Sequence, residues 1–294
     1  LDPVAIFVLG WGMKGAALAT ITGQIVSALL AVYYLFRPKS FRLKRISFKP
    51  DAEILKHVLP LGISSFLTQV SIVVIMAVMN NVLVIYGAGS KYGADIPMTV
   101  VGIVMKVFQI VISVVVGIAA GAQPIVGYNY GAGLWRRVKL IFRTMMAAEF
   151  SVGLVSLICF EVFPVQIISV FGSEDGLYNE FAVLAFRVFL GGIVLCCIQK
   201  SCSIFLQAMG KPALSMLLSL LRDFVLSVPL TLVLPRFFGV TGALYSGPAA
   251  DVISFGAAVL CMAAVFRKLN RLEDGEVALS GASQGGLAVE RKIC

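Results

Sequence analysis

Hydrophobic and polar positions alternate along this chain on the scale of whole helices. Apolar runs at about 15–36, 58–86, 97–121, 141–171, 182–207, 212–235 and 241–266 are separated by short polar links. Each is long enough to cross a bilayer, which takes about 20 apolar residues in a helix. The pattern predicts an all-α integral membrane protein with about seven transmembrane helices. One stretch departs from it. Gly117 to Gly133, GIAAGAQPIVGYNYGAG, ends an apolar run in glycines, a proline and a Tyr-Asn-Tyr triplet. Ile118, Pro124, Ile125 and Val126 make it too apolar for a water-facing loop. A bilayer boundary suits it, because glycines let backbones approach closely and tyrosines favour the headgroup level.

The links assign sides. Between the first two runs lie Arg37, Lys39, Arg42, Lys44, Arg45 and Lys49 with no acid among them, which makes that link cytoplasmic by the positive-inside rule. Alternation then puts Arg136, Arg137, Lys139 and Arg143, then Lys211, then Arg267, Lys268 and Arg271 on the same inner side. The opposite links hold Lys91 and Asp95, and the acids Glu174, Asp175 and Glu180. Trp11 falls on the outer boundary and Trp135 on the inner one. After Arg271 both hydropathy and periodicity fade, which predicts a disordered cytoplasmic tail over 269–294.

Composition agrees. The 294 residues are 59% hydrophobic and 13% charged, with a mean hydropathy of +0.96. The net charge of +9 collects in the inner links rather than along one soluble face, so the partner it implies is the lipid bilayer and not nucleic acid. The six cysteines show no CxxC spacing, and five lie inside apolar runs as small apolar fillers. No HExxH, no second histidine and no GxxxxGK[ST] loop is present, so metal-dependent, triad and phosphate-loop enzymes have no candidate residues. His57, the single histidine, is expected at the inner surface.

The chemistry sits in charges that hydropathy should have excluded. Lys106, Glu149, Arg222, Asp223 and Asp251 each fall about nine to eleven residues into a run, near mid-membrane at 1.5 Å per residue. Unpaired, each costs roughly 2.5–3.5 kcal/mol to insert. They must pair or face a wet cavity, and two cations against three anions leave one carboxylate over, able to take a proton, a sodium ion or a cationic substrate. Arg222 and Asp223 point about 100° apart on a helix, so each is expected to bridge to another helix rather than to its neighbour. Lys106 and Glu149 form a potential pair, while Asp251, after Pro248, is also placed to act as a packing acceptor at a helix distortion. Arg187 and Glu161 lie nearer the outer ends, where they can snorkel. Gln69, Asn80, Asn81 and Gln109 must face protein or water rather than lipid. Met76, Met79 and Met105 offer an adaptable wall. In the glycine-rich stretch, Gly117 and Gly121 form a GxxxG packing face, and Gln123 and Pro124 mark a bend. Gly127, Tyr128 and Asn129 approach the inner side, so the stretch is expected to be a hinge and inner gate.

A repeat organises the whole. Gly-x-x-Gly-Ala opens a helix at Gly12-Met13-Lys14-Gly15-Ala16 and again at Gly239-Val240-Thr241-Gly242-Ala243. Both helices run from outside to inside and end in basic residues. Parallel repeats about the membrane normal are a transporter architecture. On that reading residues 46–268 are a six-helix lobe, and residues 1–45 are the last helix of a preceding lobe plus the linker. The preceding lobe would then lack about five helices, so the chain is expected to be amino-terminally incomplete.

These residues carry a family resemblance. GAQPIVGYNYGAG followed by Arg136-Arg137-Val138, then FLQAMGKPALSMLLSLLRD at 205–223, and the start LDPVAIFVLGWGMKGAALAT resemble the multidrug and toxic compound extrusion (MATE) transporters, in their bacterial branch. The resemblance implies a twelve-helix, two-lobed antiporter in the plasma membrane, exporting organic cations in exchange for protons or sodium, with no other cofactor. It implies also that this chain needs the missing amino-terminal lobe to complete a cycle. One departure stands out. Some members carry an acid in the first and fourth helices of the carboxy-terminal lobe, and residues 58–86 and 182–207 contain none. Two other readings compete. A lipid-linked oligosaccharide flippase of the same superfamily would favour a more cationic cavity, and a seven-helix photoreceptor or receptor fits the helix count but lacks a lysine for retinal in 241–266.

Overall fold

A computed structural model describes residues 11–36, 51–169, 171 and 176–290. The basic linker at 37–50, the acids Glu174 and Asp175, Cys294 and the side chain of His57 lie outside the described residues. By its contacts the chain divides into two units, Leu1–His57 and Val58–Cys294. The first contains α1 (Gly12–Phe36). The second, which carries every candidate site residue, is built from α2 (Ala52–Ala88, begun in the first), α3 (Asp95–Gly131), α4 (Trp135–Val162), α5 (Pro164–Ser169), α6 (Gly176–Phe189), α7 (Ile193–Ala208), α8 (Pro212–Leu220), α9 (Ser227–Phe238) and α10 (Val240–Glu290). Among the described residues there is no strand. Six helices are long and apolar enough to cross a membrane, and α6 with α7 forms a seventh, broken span bent by 44°. The protein is an all-helical, multi-pass membrane protein.

Four of the spans differ from the sequence reading in instructive ways. The run at 97–121 does not end in its glycines: α3 continues through Gln123, Pro124 and the Tyr-Asn-Tyr triplet to Gly131. Proline is tolerated inside a membrane helix because neighbours and local adjustment satisfy the freed carbonyl. The run at 141–171 is two helices, divided at Phe163 ahead of Pro164, as the restriction on residues before proline favours. The run at 182–207 breaks at Leu190-Gly191-Gly192. The run at 212–235 holds a π-helical stretch, Leu221–Leu226, between α8 and α9. There Pro229 has no N–H for the carbonyl four residues back, and both the N–H and the hydroxyl of Ser227 donate to Arg222 O. That wider i→i+5 spacing defines a π-turn. α10 also extends past Arg271 to Glu290, and Lys139 of α4 bonds Asn270 at 2.8 Å and Glu273 on it.

The helices assemble around α7, which packs against α3, α4, α8 and α10. Its buried residues include Cys196, Gln199, Ser201, Ser203 and Leu206, so it is enclosed on more than one face. Two apolar clusters surround it. One joins Leu83, Val104, Phe181, Phe186 and Leu244, and the other joins Val138, Phe205, Leu218, Met262 and Leu269. Serines close the α7–α8 contact, with Ser203 Oγ donating to Ser215 O at 2.9 Å and lying 2.8 Å from Ser219 Oγ. At the opposite end of the bundle from Arg136, Lys91 bonds Glu180 at 2.7 Å and Tyr92 stacks on Phe181, tying the α2–α3 link to α6. The Glu180 carboxylate beside it raises the Lys91 ammonium above its usual range.

The two Gly-x-x-Gly-Ala copies share a backbone conformation: Gly12 and Gly239 both have positive φ, +52° and +62°. Only glycine adopts such geometry without strain. In the second copy Gly242 is the point of closest approach, since a Cβ there would meet Leu234 O at 2.5 Å and Pro235 N at 2.7 Å. Gly242→Ala is therefore expected to lower stability by about 1–3 kcal/mol through overpacking. The check is a lower thermal unfolding midpoint in detergent, against no comparable change for Gly256→Ala, where a Cβ meets nothing within 4 Å.

Candidate functional site

The mid-membrane charges separate into an inner and an outer system. Inside, four residues form a chain around α7. Lys200 Nζ on α7 bonds Asp223 Oδ2 at 2.7 Å, Asp223 Oδ1 accepts from Arg222 Nη1 at 2.7 Å, and Arg222 Nε donates to Asp251 Oδ1 on α10 at 2.8 Å. All four are nearly enclosed, with side-chain exposures of 15%, 3%, 13% and 4% in that order. The Arg222 guanidinium also lies 5.8 Å from the Phe108 ring of α3, a cation–π distance. Two cations meet two anions, so the chain is neutral, and each charged group has at least one hydrogen bond to an opposite charge, which makes buried ions tolerable.

Local backbone makes this possible. Asp251 reaches Arg222 through the break between α6 and α7, where a Cβ on Gly192 would lie 2.7 Å from Asp251 Oδ2. The π-helical stretch explains the pairing that regular helix geometry excluded. Arg222 and Asp223 do pair side by side, because Leu221–Leu226 is wound more widely than an α-helix and the long guanidinium folds back. Each of the two also bridges to another helix, as expected. Lys200 is the residue the sequence reading missed. Its signal was a lysine beside glutamine inside an apolar run, and once it is counted Asp223 has a second cation.

Outside, Asn80 on α2 and Lys106 and Gln109 on α3 are all exposed. The expected Lys106–Glu149 pair does not form: Lys106 points out of the unit, while Glu149 is wholly buried on α4 with no hydrogen-bond partner on either oxygen. α3 presents Lys106, Gln109, Ser113, Gly117, Gly121, Pro124 and Tyr128 on one side, every one exposed, with Val100, Val104, Val111, Val115 and Ala119 buried opposite. The positions recur every three or four residues, which keeps them on a single stripe. The GxxxG face therefore lies on that stripe. No described atom comes within 4 Å of a Cβ placed on Gly117 or Gly121, so among the described residues of the second unit nothing packs against it. A Cβ on Gly127 would instead meet Ala208 O of the α7 terminus at 3.5 Å, and Gln123 is half-buried. Asn129 is buried, with its amide nitrogen on Ile125 O at 2.7 Å. Met79 is buried in the core whereas Met76 is exposed.

A separate cavity of about 430 Å³ between α4, α7 and α10, lined by Phe142, Met146, Ile198, Cys202, Phe255 and Met262 among others, contains no polar group to orient a cation. Arg187 pairs with Glu161 at 3.3 Å, both half-exposed.

Comparison with known proteins follows the same residues. The sequence profile of the MatE family matches residues 60–233, more than half of the chain and nearly all of α2 to α9. The chain belongs to the MatE family. Among curated relatives, the multidrug export protein MepA of Staphylococcus aureus is 25% identical over 264 residues, covering 88% of this chain and 56% of its own length. MepA of Staphylococcus saprophyticus is 26% identical over 261 residues with the same coverage. The chain thus spans a little over half the length of these relatives. Solved structures agree on the fold. A MATE in complex with MaL6 superimposes with a TM-score of 0.80 at 23% identity, over 92% of this chain and 60% of that one. A multidrug resistance MATE family transporter of the MOP superfamily, in an outward-facing conformation, gives 0.79 at 23% identity over 92% and 60%. A MOP superfamily transporter from Pyrococcus furiosus, described as having a binding pocket of reverse polarity, gives 0.75 at 23% identity over 93% and 60%.

In this MatE chain the ion chain makes a direct prediction. Arg222→Met strands Asp251 as a buried carboxylate and leaves Asp223 with Lys200 alone, and truncating one side of a buried pair typically costs about 3–5 kcal/mol. Unfolding in detergent should show that loss, and the double variant Arg222→Met with Asp251→Asn should recover part of it.

Proposed function

We propose that this chain works in a multidrug exporter that moves organic cations out across the cell membrane in exchange for protons or sodium. The observation that supports it is the α3 stripe. A membrane-length helix that turns a lysine, a glutamine, a serine, two glycines and a proline away from its own unit has polar groups that lipid would leave unsatisfied. In this reading a second lobe faces the stripe and the substrate passes between them. MepA's name as a multidrug export protein favours the drug-like substrate class. The basic ends at Arg136 and Arg137, at Lys211 and at Arg267 lie on the cytoplasmic side by the positive-inside rule, which places the carboxy-terminus there too. Gly121, Gln123, Pro124 and Gly127 stand at that end of the stripe and serve as the inner gate.

One observation favours a second reading. Lys106 is the only charge on the stripe, and a cation in the path suits an anionic, lipid-linked substrate of the kind a flippase handles.

Lys106→Gln separates the two. In cells producing the complete protein, export of a lipophilic cationic dye should be retained or rise in Lys106→Gln, because a like charge has left the path. Collapse of dye export in that variant, or dye export indifferent to both proton and sodium gradients in the wild type, contradicts the antiporter reading.

A further inference from the structure

Glu149 is the buried carboxyl that the ion chain does not use. It lies on α4 at 0% exposure, and neither Oε1 nor Oε2 has a hydrogen-bond partner. One turn away Gly153 draws α4 onto α7, where a Cβ would meet Val194 Cα at 3.0 Å and Cys197 Sγ at 3.5 Å. That close contact closes off the space around the carboxyl. Across it, the fully buried Ser201 of α7 is a near neighbour of Glu149, and among the described residues its hydroxyl has no partner of full hydrogen-bond geometry. Two buried polar side chains from different helices thus lie together without a well-formed hydrogen bond.

The charges on the surrounding helices are committed elsewhere. On α7, Lys200 is held by Asp223, and the Cys197 thiol is the titratable group beside Glu149. On α10 and the π-helical stretch, Asp251 and Arg222 bond each other. On α6, Arg187 pairs with Glu161, the other acid of α4, near the outer end. Lys106 of α3 and Arg143 of α4 are exposed. Among the described residues, therefore, no cation pairs with Glu149. An ionised carboxylate left alone in such a site is costly by several kcal/mol, whereas the protonated group is neutral and gains an O–H donor that Ser201 can accept. A sodium ion fits poorly. Hard cations take several oxygen ligands, and here two carboxylate oxygens and one hydroxyl are in place. Among the described residues no group of three His, Cys, Asp or Glu could hold a metal.

We propose that Glu149 and Ser201 form a proton-binding site inside the second unit, separate from the Lys200–Asp223–Arg222–Asp251 chain. The carboxylate takes its proton from water when the α4–α7 contact is open and holds it when the contact closes at Gly153. The use of this proton in export rests on the antiporter reading, but its binding does not.

Infrared difference spectroscopy of the complete protein in lipid vesicles, with and without Glu149→Gln, tests the site. The wild type should show a protonated-carboxyl C=O band at neutral pH that Glu149→Gln removes. Ser201→Ala should shift that band without abolishing it, and Asp251→Asn should leave it in place. Identical bands in wild type and Glu149→Gln, or loss of the band on adding sodium at constant pH, overturn the proposal. A parallel dye-binding titration reads the linkage: acid should weaken wild-type affinity by about 5–150-fold, the usual range of coupling between sites, and Glu149→Gln should remove that dependence. A missing band in protein that still exports dye defeats the proton site alone. A present band in protein that exports no dye defeats the antiporter reading alone.

Discussion

The second unit depends on how it neutralises charge in a medium that cannot solvate it. Lys200, Asp223, Arg222 and Asp251 form a closed account of two positive and two negative groups, joined by hydrogen bonds of 2.7–2.8 Å. Three backbone irregularities serve that chain. The π-helical stretch lets Arg222 and Asp223 face each other, the break at Gly191-Gly192 admits Asp251, and Pro229 loosens the turn that makes the first possible. An isolated pair would hold two helices, whereas this chain links α7, the π-helical stretch and α10, with Phe108 of α3 capping the guanidinium. The irregular backbone brings four charges into mutual contact.

That chain is neutral and enclosed, which suits a structural role in holding the helices together. The groups with unmet chemistry are elsewhere: Glu149 with Ser201 in the α4–α7 gap, and the exposed stripe of α3. A membrane protein that leaves a lysine, a glutamine and a GxxxG face outward has polar surface that lipid does not satisfy, and a family of transporters supplies a reason for it.

Much of this was legible in the amino-acid sequence. The seven runs follow from hydropathy, and the five charges stood out because insertion penalises them. Family membership was carried by the Gly-rich stretch and the 205–223 segment. What was hidden has a common physical origin. Regular helix geometry said Arg222 and Asp223 could not pair, and a π-turn overrides that geometry without any signal in residue type except Pro229 and Ser227. Lys200 was overlooked because a single lysine scarcely lowers the hydropathy of its run. Lys106 and Glu149 sit at similar depth, yet depth says nothing about facing: period 3.6 places Lys106 with Gln109 and Ser113, away from the buried valines of α3. The glycine-rich stretch looked like a helix end because glycine and proline weaken helices in water. In a bilayer, a helix that stopped there would strand its backbone groups, so α3 continues to Gly131.

The division between a dry ion chain and a wet working stripe is tested most directly by cysteine accessibility in the complete protein, on a background free of native cysteine. Ser113→Cys on the stripe should react with a membrane-impermeant thiol reagent in open vesicles and be protected by a bound cationic dye. Ser254→Cys, buried one turn from Asp251, should stay unreactive under the same conditions. Labelling at Ser254→Cys together with silence at Ser113→Cys would show that the water-filled path runs through the ion chain, and would contradict the account.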